Sequence, residues 1–145
     1  MEILNTSYLE NINYPRLMRL NNPGGVLISK ISWTGKITKP NQKTYESFDL
    51  YSNGVHAMLA IIANYYHLEK AKTIEKLIYR YAKPGTEITD YIKQVSTGSG
   101  FRPRQIIPWN RHAIYLIINE IARWENKGRN PIIHPDLFAA VWLKI

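Results

Sequence analysis

The apolar residues change rhythm near Asn53, and the change divides the chain into an irregular first third and a helical remainder. Upstream, the run Val26 to Trp33 (V-L-I-S-K-I-S-W) is rich in β-branched and aromatic residues. In its later part Ile31 and Trp33 alternate with Lys30, Ser32 and Thr34, which predicts a strand. Thr44 to Leu50 brings Tyr45, Phe48 and Leu50 after a Pro40-Asn41 turn and predicts a second extended piece, giving a small antiparallel hairpin or three-stranded sheet. Residues 1–18 form a lead in which Leu4, Tyr8, Leu9, Ile12 and Tyr14 fall at loosely helical spacing before Pro15 interrupts them.

Beyond Asn53 the period becomes helical. Val55, Leu59, Ile62 and Tyr66 mark a central helix with Asn53 as cap, and Ala57, Ala60 and Ala63 favour close packing against neighbours. A second helix is predicted from Thr73, its N-cap, to Tyr81, and Lys83-Pro84-Gly85 stops it. A third runs from Glu87 to Ser96 behind Thr86, with Ile88, Tyr91, Ile92 and Val95 as its apolar stripe, and ends before Gly98 and Gly100. Arg102-Pro103 and Ile107-Pro108 keep the next stretch extended. Asn110 then caps a strong helix through Trp124, and Pro135 opens a last helix ending near Lys144. Sheet first and helices after predict one α+β domain over residues 1–145, mainly helical, with a small antiparallel sheet in its N-terminal half.

Composition narrows the function classes. Without cysteine there are no disulfides and no thiolate chemistry. The polar interruptions at Glu2, Asn5, Glu10 and Asn11 argue against a cleavable signal peptide, so synthesis in the cytoplasm is expected. No apolar run reaches the roughly 18 to 20 residues of a membrane span. A formal net charge of +8 predicts attraction to a polyanion: nucleic acid, an anionic membrane surface or an anionic bacterial wall. The cations are scattered, with no dense basic tail, and nucleic-acid binding therefore ranks a distant third among the functions considered.

Phosphate-binding glycine loops, H-E-x-x-H and G-x-S-x-G elbows are all missing from the sequence. His56, His67, His112 and His134 lack metal-ligand spacing, so neither a metal nor a cofactor is expected. Among the few carboxylates, Glu125 stands in Trp124-Glu125-Asn126 at a helix C-terminus, where the macrodipole disfavours it. An acid beside an aromatic ring suits the general-acid role in cleaving a glycosidic bond. Glu87 and Glu46 follow as candidates. Ten tyrosines, four tryptophans and many asparagines permit a carbohydrate cleft, although Tyr65, Tyr66, Tyr79 and Tyr81 also fit helix packing. The tight loop Arg19 to Gly25, followed by Trp33-Thr34-Gly35, either redirects the chain between core elements or walls a cleft.

Asn21-Asn22-Pro23-Gly24, Trp33-Thr34-Gly35, Tyr45 to Phe48, Gly54-Val55-His56-Ala57, Tyr65, Thr73-Ile74, Tyr81-Ala82-Lys83-Pro84, Tyr91-Ile92 with Val95, and Glu125-Asn126 before Gly128 occur in an order that resembles the lysozyme-like domains of phage virion proteins. The likeness spans residues 19–128 and leaves residues 129–145 as an added C-terminal helix. Gly25 stands where that family repeats an asparagine, and the Lys83 to Glu87 stretch is one residue shorter than its proline-rich counterpart. The resemblance implies a peptidoglycan-directed domain of phage or phage-derived origin that cuts the glycan strand with one glutamate as general acid. Its candidates here are Glu125, then Glu87 and Glu46, with Asn21, Asn22, Trp33 and Tyr65 on the substrate side. Lysozyme and lytic transglycosylase chemistry both remain open. So does a non-catalytic virion or injection-apparatus component that keeps the fold. Peptidoglycan or another anionic wall polymer, and other virion proteins, are the implied partners, with the virion or the bacterial envelope after delivery as location.

Overall fold

A computed structural model describes residues 2–38, 42–128 and 133–145 of the chain. Helix α2 (Tyr51–His67) forms the centre of the molecule. Its buried residues, among them Tyr51, Val55, Met58, Leu59, Ile62 and Tyr66, leave little of its circumference free, as expected of a helix with neighbours on most sides. Its N-cap is Leu50, three residues before the expected Asn53, and the Asn53 amide instead donates to Asp49 Oδ1 at 2.7 Å. Against α2 pack α3 (Ile74–Tyr81) and α6 (Pro135–Trp142), while α4 (Ile88–Ser99) and α5 (Arg111–Glu125) form the most extensive helix pair. Thr73 and Asn110 cap α3 and α5 as read from the sequence, accepting from Lys76 N at 3.2 Å and Ala113 N at 2.9 Å.

Helix α4 departs from expectation at both ends. Glu87, not Thr86, occupies the N-cap and makes no side-chain cap bond, and the helix runs on through Gly98 to the left-handed Gly100 at φ 84°. Gly98 is tolerated inside the helix for a packing reason: a Cβ there would run into the Glu120 carboxylate of α5. At the far end of α2, Tyr66 OH donates to Ile107 O at 2.6 Å, and Trp109 lies 4.9 Å from Tyr66 and 5.4 Å from Trp142. These rings hold the extended 101–110 segment and α6 to the core.

The N-terminal third includes a 3-10 turn (Glu2–Asn5), the short helix α1 (Arg16–Arg19) behind Pro15, and strands β1 (Lys36–Ile37) and β2 (Ser47–Phe48). The strands pair antiparallel with Lys36 opposite Phe48 and Ile37 opposite Ser47. The expected strand over Val26 to Trp33 is not formed: only Leu27 makes a bridge, to Tyr45. Ile28 N donates to Thr44 O at 3.0 Å and Glu46 N to Val26 O at 2.9 Å around that bridge, and beyond Ile28 side chains take the place of a ladder. Lys36 Nζ donates to the carbonyls of Ser29 (2.7 Å) and Ile31 (3.2 Å), Ser29 N donates to Glu46 Oε2 (3.3 Å), and Ile31 N donates to Ser29 Oγ (3.2 Å). The β-branched run is therefore wrapped around a lysine, and Leu27, Ile28 and Ile31 stay exposed. The expected Pro40-Asn41 turn and the end of the polar turn after Asn126 lie outside the described residues.

Candidate functional site

The loop from Leu20 to Val26 is built into the protein by its own amides. Asn22 Oδ1 accepts from Val26 N at 2.9 Å, and its Nδ2 donates to Val26 O and Glu46 O, both at 2.9 Å. Asn21 Oδ1 accepts from Tyr8 N at 2.8 Å, and its Nδ2 donates to Ser7 Oγ, Phe48 O and Asp49 O. Both asparagines are fully buried, so they shape the loop from beneath and do not present amides to a ligand. Asn21 also adopts φ 53°, a left-handed conformation that asparagine tolerates better than most residues. Of the two glycines, Gly25 has positive φ (62°). Gly24 is required by close packing, because a Cβ on it would crowd the Tyr81 hydroxyl and Met58. An asparagine at position 25 meets the same backbone demand as the glycine found there.

Landmarks far apart in sequence converge on this loop. Gly54 lies against the Asn21 carbonyl with no room for a Cβ. Tyr81 OH donates to Gly24 O at 2.7 Å, and Asn126 Nδ2 donates to Pro23 O at 2.9 Å and to Ala122 O at 2.8 Å. Asn126 thereby brings the end of α5, with Glu125, against Gly25: a Cβ at Gly25 would be 3.0 Å from both Glu125 Oε1 and Lys83 Nζ.

Glu125 is held at each oxygen. Lys83 Nζ contacts Oε1 at 2.8 Å, and Tyr91 OH donates to Oε2 at 2.8 Å. The ring of Tyr91 stacks on Trp124 with centroids 4.7 Å apart and planes 14° from parallel, which fixes the direction of its hydroxyl. Burial, reinforced by the Glu125 charge, keeps the Tyr91 phenol well above its usual range, so it is a neutral donor at ordinary pH. Tyr81 is held neutral in the same way, by burial first and Glu125 second. The Lys83 ammonium also answers the unfavourable position of a carboxylate at a helix C-terminus.

Glu125 lines one of two neighbouring depressions and touches the other through Gly25 and Lys83. On one side, a cleft of about 330 Å³ is lined by Gly25, Ile31, Trp33, Tyr65, Tyr81 and Lys83, among others. Two of the residues placed on the substrate side by sequence, Trp33 and Tyr65, therefore share one wall, and Trp33 Nε1 is closed from solvent without an acceptor. On the other side, a cleft of about 400 Å³ includes Arg16, Arg19, Tyr45, Glu125, Asn126 and Lys127 in its lining. Lys83 Nζ lies 5.8 Å from the centroids of both Tyr45 and Tyr81 and so bridges the two depressions.

The other candidate acids lie elsewhere. Glu46 is buried, with its Oε2 taken by Lys36 at 2.9 Å and by Ser29 N, so its carboxylate fastens the wrapped 28–37 segment to β2. Glu87 is exposed at the start of α4, without a side-chain bond among the described residues. The sequence assigns Lys83 to a helix stop and Tyr91 to an apolar stripe, and both to motifs of the family resemblance, but gives neither a role at Glu125. A tyrosine among the buried positions of a stripe carries a hydroxyl that needs a partner, and that was the available signal. Among the described residues there is no cluster of three metal-ligating side chains, and no helix is long and apolar enough to cross a membrane. No known protein-family model matches the chain, and no curated protein matches it.

Proposed function

We propose that this chain is a peptidoglycan-directed, lysozyme-like domain of phage or phage-derived origin in which Glu125 is the acid that cleaves the glycan strand. The observation that carries this reading is the position of Glu125, in the lining of a cationic cleft and against Gly25 and Lys83 of the neighbouring aromatic one. Sugar rings stack on faces such as those of Trp33 and Tyr65, and the anionic substituents of a wall polymer meet the cations on the other side. Tyr91 holds Oε2 and Lys83 pairs with Oε1, so Oε1, beside Gly25, is the atom that handles the proton once substrate displaces the Lys83 ammonium.

In this chemistry protonated Glu125 gives its proton to the glycosidic oxygen and the C1–O bond breaks. A hydroxyl adds to C1 and returns its proton to Glu125. The hydroxyl comes from water in a lysozyme and from the muramyl C6 position in a lytic transglycosylase. Glu125 lines the cationic depression and no carboxylate lines the aromatic one among the described residues, and this favours a mechanism in which a single group serves first as acid and then as base.

A second reading, a virion component that keeps the fold without catalysis, is favoured by one feature. Both oxygens of Glu125 are engaged inside the protein, as in a purely structural ion pair. A turbidity assay on purified cell walls separates the two. Catalysis predicts a fall in turbidity that Glu125→Gln abolishes, and a structural role predicts wall binding with no fall from either protein.

A further inference from the structure

The Lys83–Glu125 pair joins the walls of the two depressions. Lys83 is in the lining of the aromatic cleft and Glu125 in that of the cationic one, so their 2.8 Å bond runs from one wall to the other. The ammonium stands 5.8 Å from the ring centroid of Tyr81, on the aromatic side, and 5.8 Å from that of Tyr45, on the cationic side. A chain-like ligand that occupies both depressions has to pass this bar. One that fills a single depression does not.

The two ends of the bar are held unequally. Glu125 keeps a second anchor, because Tyr91 OH donates to Oε2 at 2.8 Å and the Tyr91 ring is stacked on Trp124. Lys83 has none of that kind. Among the described residues its Nζ hydrogen-bonds to Oε1 alone, and its two ring contacts lie close to the roughly 6 Å limit of a cation–π interaction. It also stands outside the helices, after the Ala82 cap of α3 and before Pro84. Breaking the bond therefore frees the lysine and leaves the carboxylate in place. Gly25, in the lining of the aromatic cleft, keeps the bond uncovered, since even a Cβ there would come within 3.0 Å of both Oε1 and Nζ.

The closed pair holds Glu125 in the wrong state for an acid. An ion pair needs the carboxylate, whereas protonating a glycosidic oxygen needs the carboxylic acid. We infer that Lys83 is a positioning residue that latches Glu125 in the free chain, and that the latch opens only for a ligand long enough to span both depressions. The glycan identity of that ligand rests on the reading proposed above; the latch rests on the unequal anchoring of the pair. Opening costs free energy, so the closed form lowers the apparent affinity for a spanning ligand and not for a short one.

The test compares the parent chain with Lys83→Met and Lys83→Arg by tryptophan fluorescence in the cold. The probes are soluble glycan strands of peptidoglycan stripped of their peptides, and the disaccharide N-acetylglucosaminyl-N-acetylmuramic acid. Lys83→Met, folded to the parental Tm, is expected to bind strands at least about fivefold more tightly than the parent and the disaccharide within about twofold of it. Lys83→Arg, which can remake the pair, should bind strands as the parent does. The side-chain carboxyl ¹³C resonance of Glu125, assigned by its loss in Glu125→Gln, reads the pair directly. In the parent it should move when strands are added, towards its position in free Lys83→Met, and stay in place with the disaccharide. Strand binding with the resonance unmoved, an equal response to the disaccharide, weaker strand binding by Lys83→Met, or equal tightening in Lys83→Arg overturns the latch. No strand binding by the parent or by Lys83→Met overturns the glycan reading together with the latch. A pair that opens for strands in a chain that releases no fragments from cell walls supports the latch and removes the catalytic reading. Release of fragments with the resonance unmoved by strands does the reverse.

Discussion

Asn22→Ala removes the side chain that holds the Leu20 to Val26 loop, and its cost can be worked from the bonds lost. The Val26 N–H loses its acceptor and the Glu46 carbonyl loses its donor, whereas Val26 O keeps the bond from Glu46 N at 2.9 Å. Two buried backbone groups left short, at about 1–2 kcal/mol each, predict a destabilisation of about 3 kcal/mol. For a chain of this length that is roughly a 10 °C fall in Tm. Asn22→Asp is predicted to be worse than alanine, because it keeps the acceptor for Val26 N but points a carboxylate at two carbonyl oxygens in a site with no solvent exposure. Urea unfolding followed by circular dichroism, with the m-value unchanged, measures both variants. If Asn22→Ala lies within about 0.5 kcal/mol of the parent, the size expected of an ordinary surface substitution, Asn22 is not a strut and the argument built on the loop fails.

Three further outcomes follow from the same structure. Gly25→Ala forces a side chain into a left-handed conformation at about 1 kcal/mol or more, and Gly25→Asn costs less at the same Cβ position, so stability should run Gly, Asn, Ala; equal midpoints for Gly and Ala in urea would refute it. His56 is lowered from its ordinary 6.5, by burial first and Lys144 second, so the unfolded chain takes up the proton more readily. Stability then falls as pH drops through about 6.5, and Tm measured from about pH 8 to 5 should lose part of this fall in His56→Gln. Glu120 is raised from 4.5 by burial, with Arg123 opposing, so its stabilisation is present at low pH and is lost as pH rises through its folded value. Glu120→Gln should therefore gain stability over the parent at pH 7 and little at about pH 4, and an equal effect at both would refute the assignment.

The helices were legible because each carries its own period and ends. Thr73 and Asn110 show their cap roles within a few residues of sequence, and Pro84-Gly85 marks the stop of α3. The segment Val26 to Trp33 misleads because its fate depends on Lys36 and Glu46, whose bonds to the Ser29 and Ile31 backbone replace a strand ladder. Propensity describes the segment and says nothing about a side chain arriving from outside it. Glu125 could be singled out locally, as an acid beside an aromatic ring at the wrong end of a helix. Its partners could not: Lys83 lies 42 residues away, and Tyr91 lies 34. The roles of Asn21 and Asn22 were half visible. Their part in a tight turn follows from residue type, but their burial follows from contacts with Ser7, Tyr8 and the 46–49 segment.

The central claim, that Glu125 does glycan chemistry at the two neighbouring clefts, is tested most directly by mass spectrometry of the soluble material released from purified peptidoglycan. The parent chain is predicted to release disaccharide-peptide fragments, and Glu125→Gln, folded to the same Tm within about 3 °C, is predicted to lower the rate by about 100-fold or more. Release at the parental rate by Glu125→Gln, or no release by the parent from walls it demonstrably binds, would contradict it.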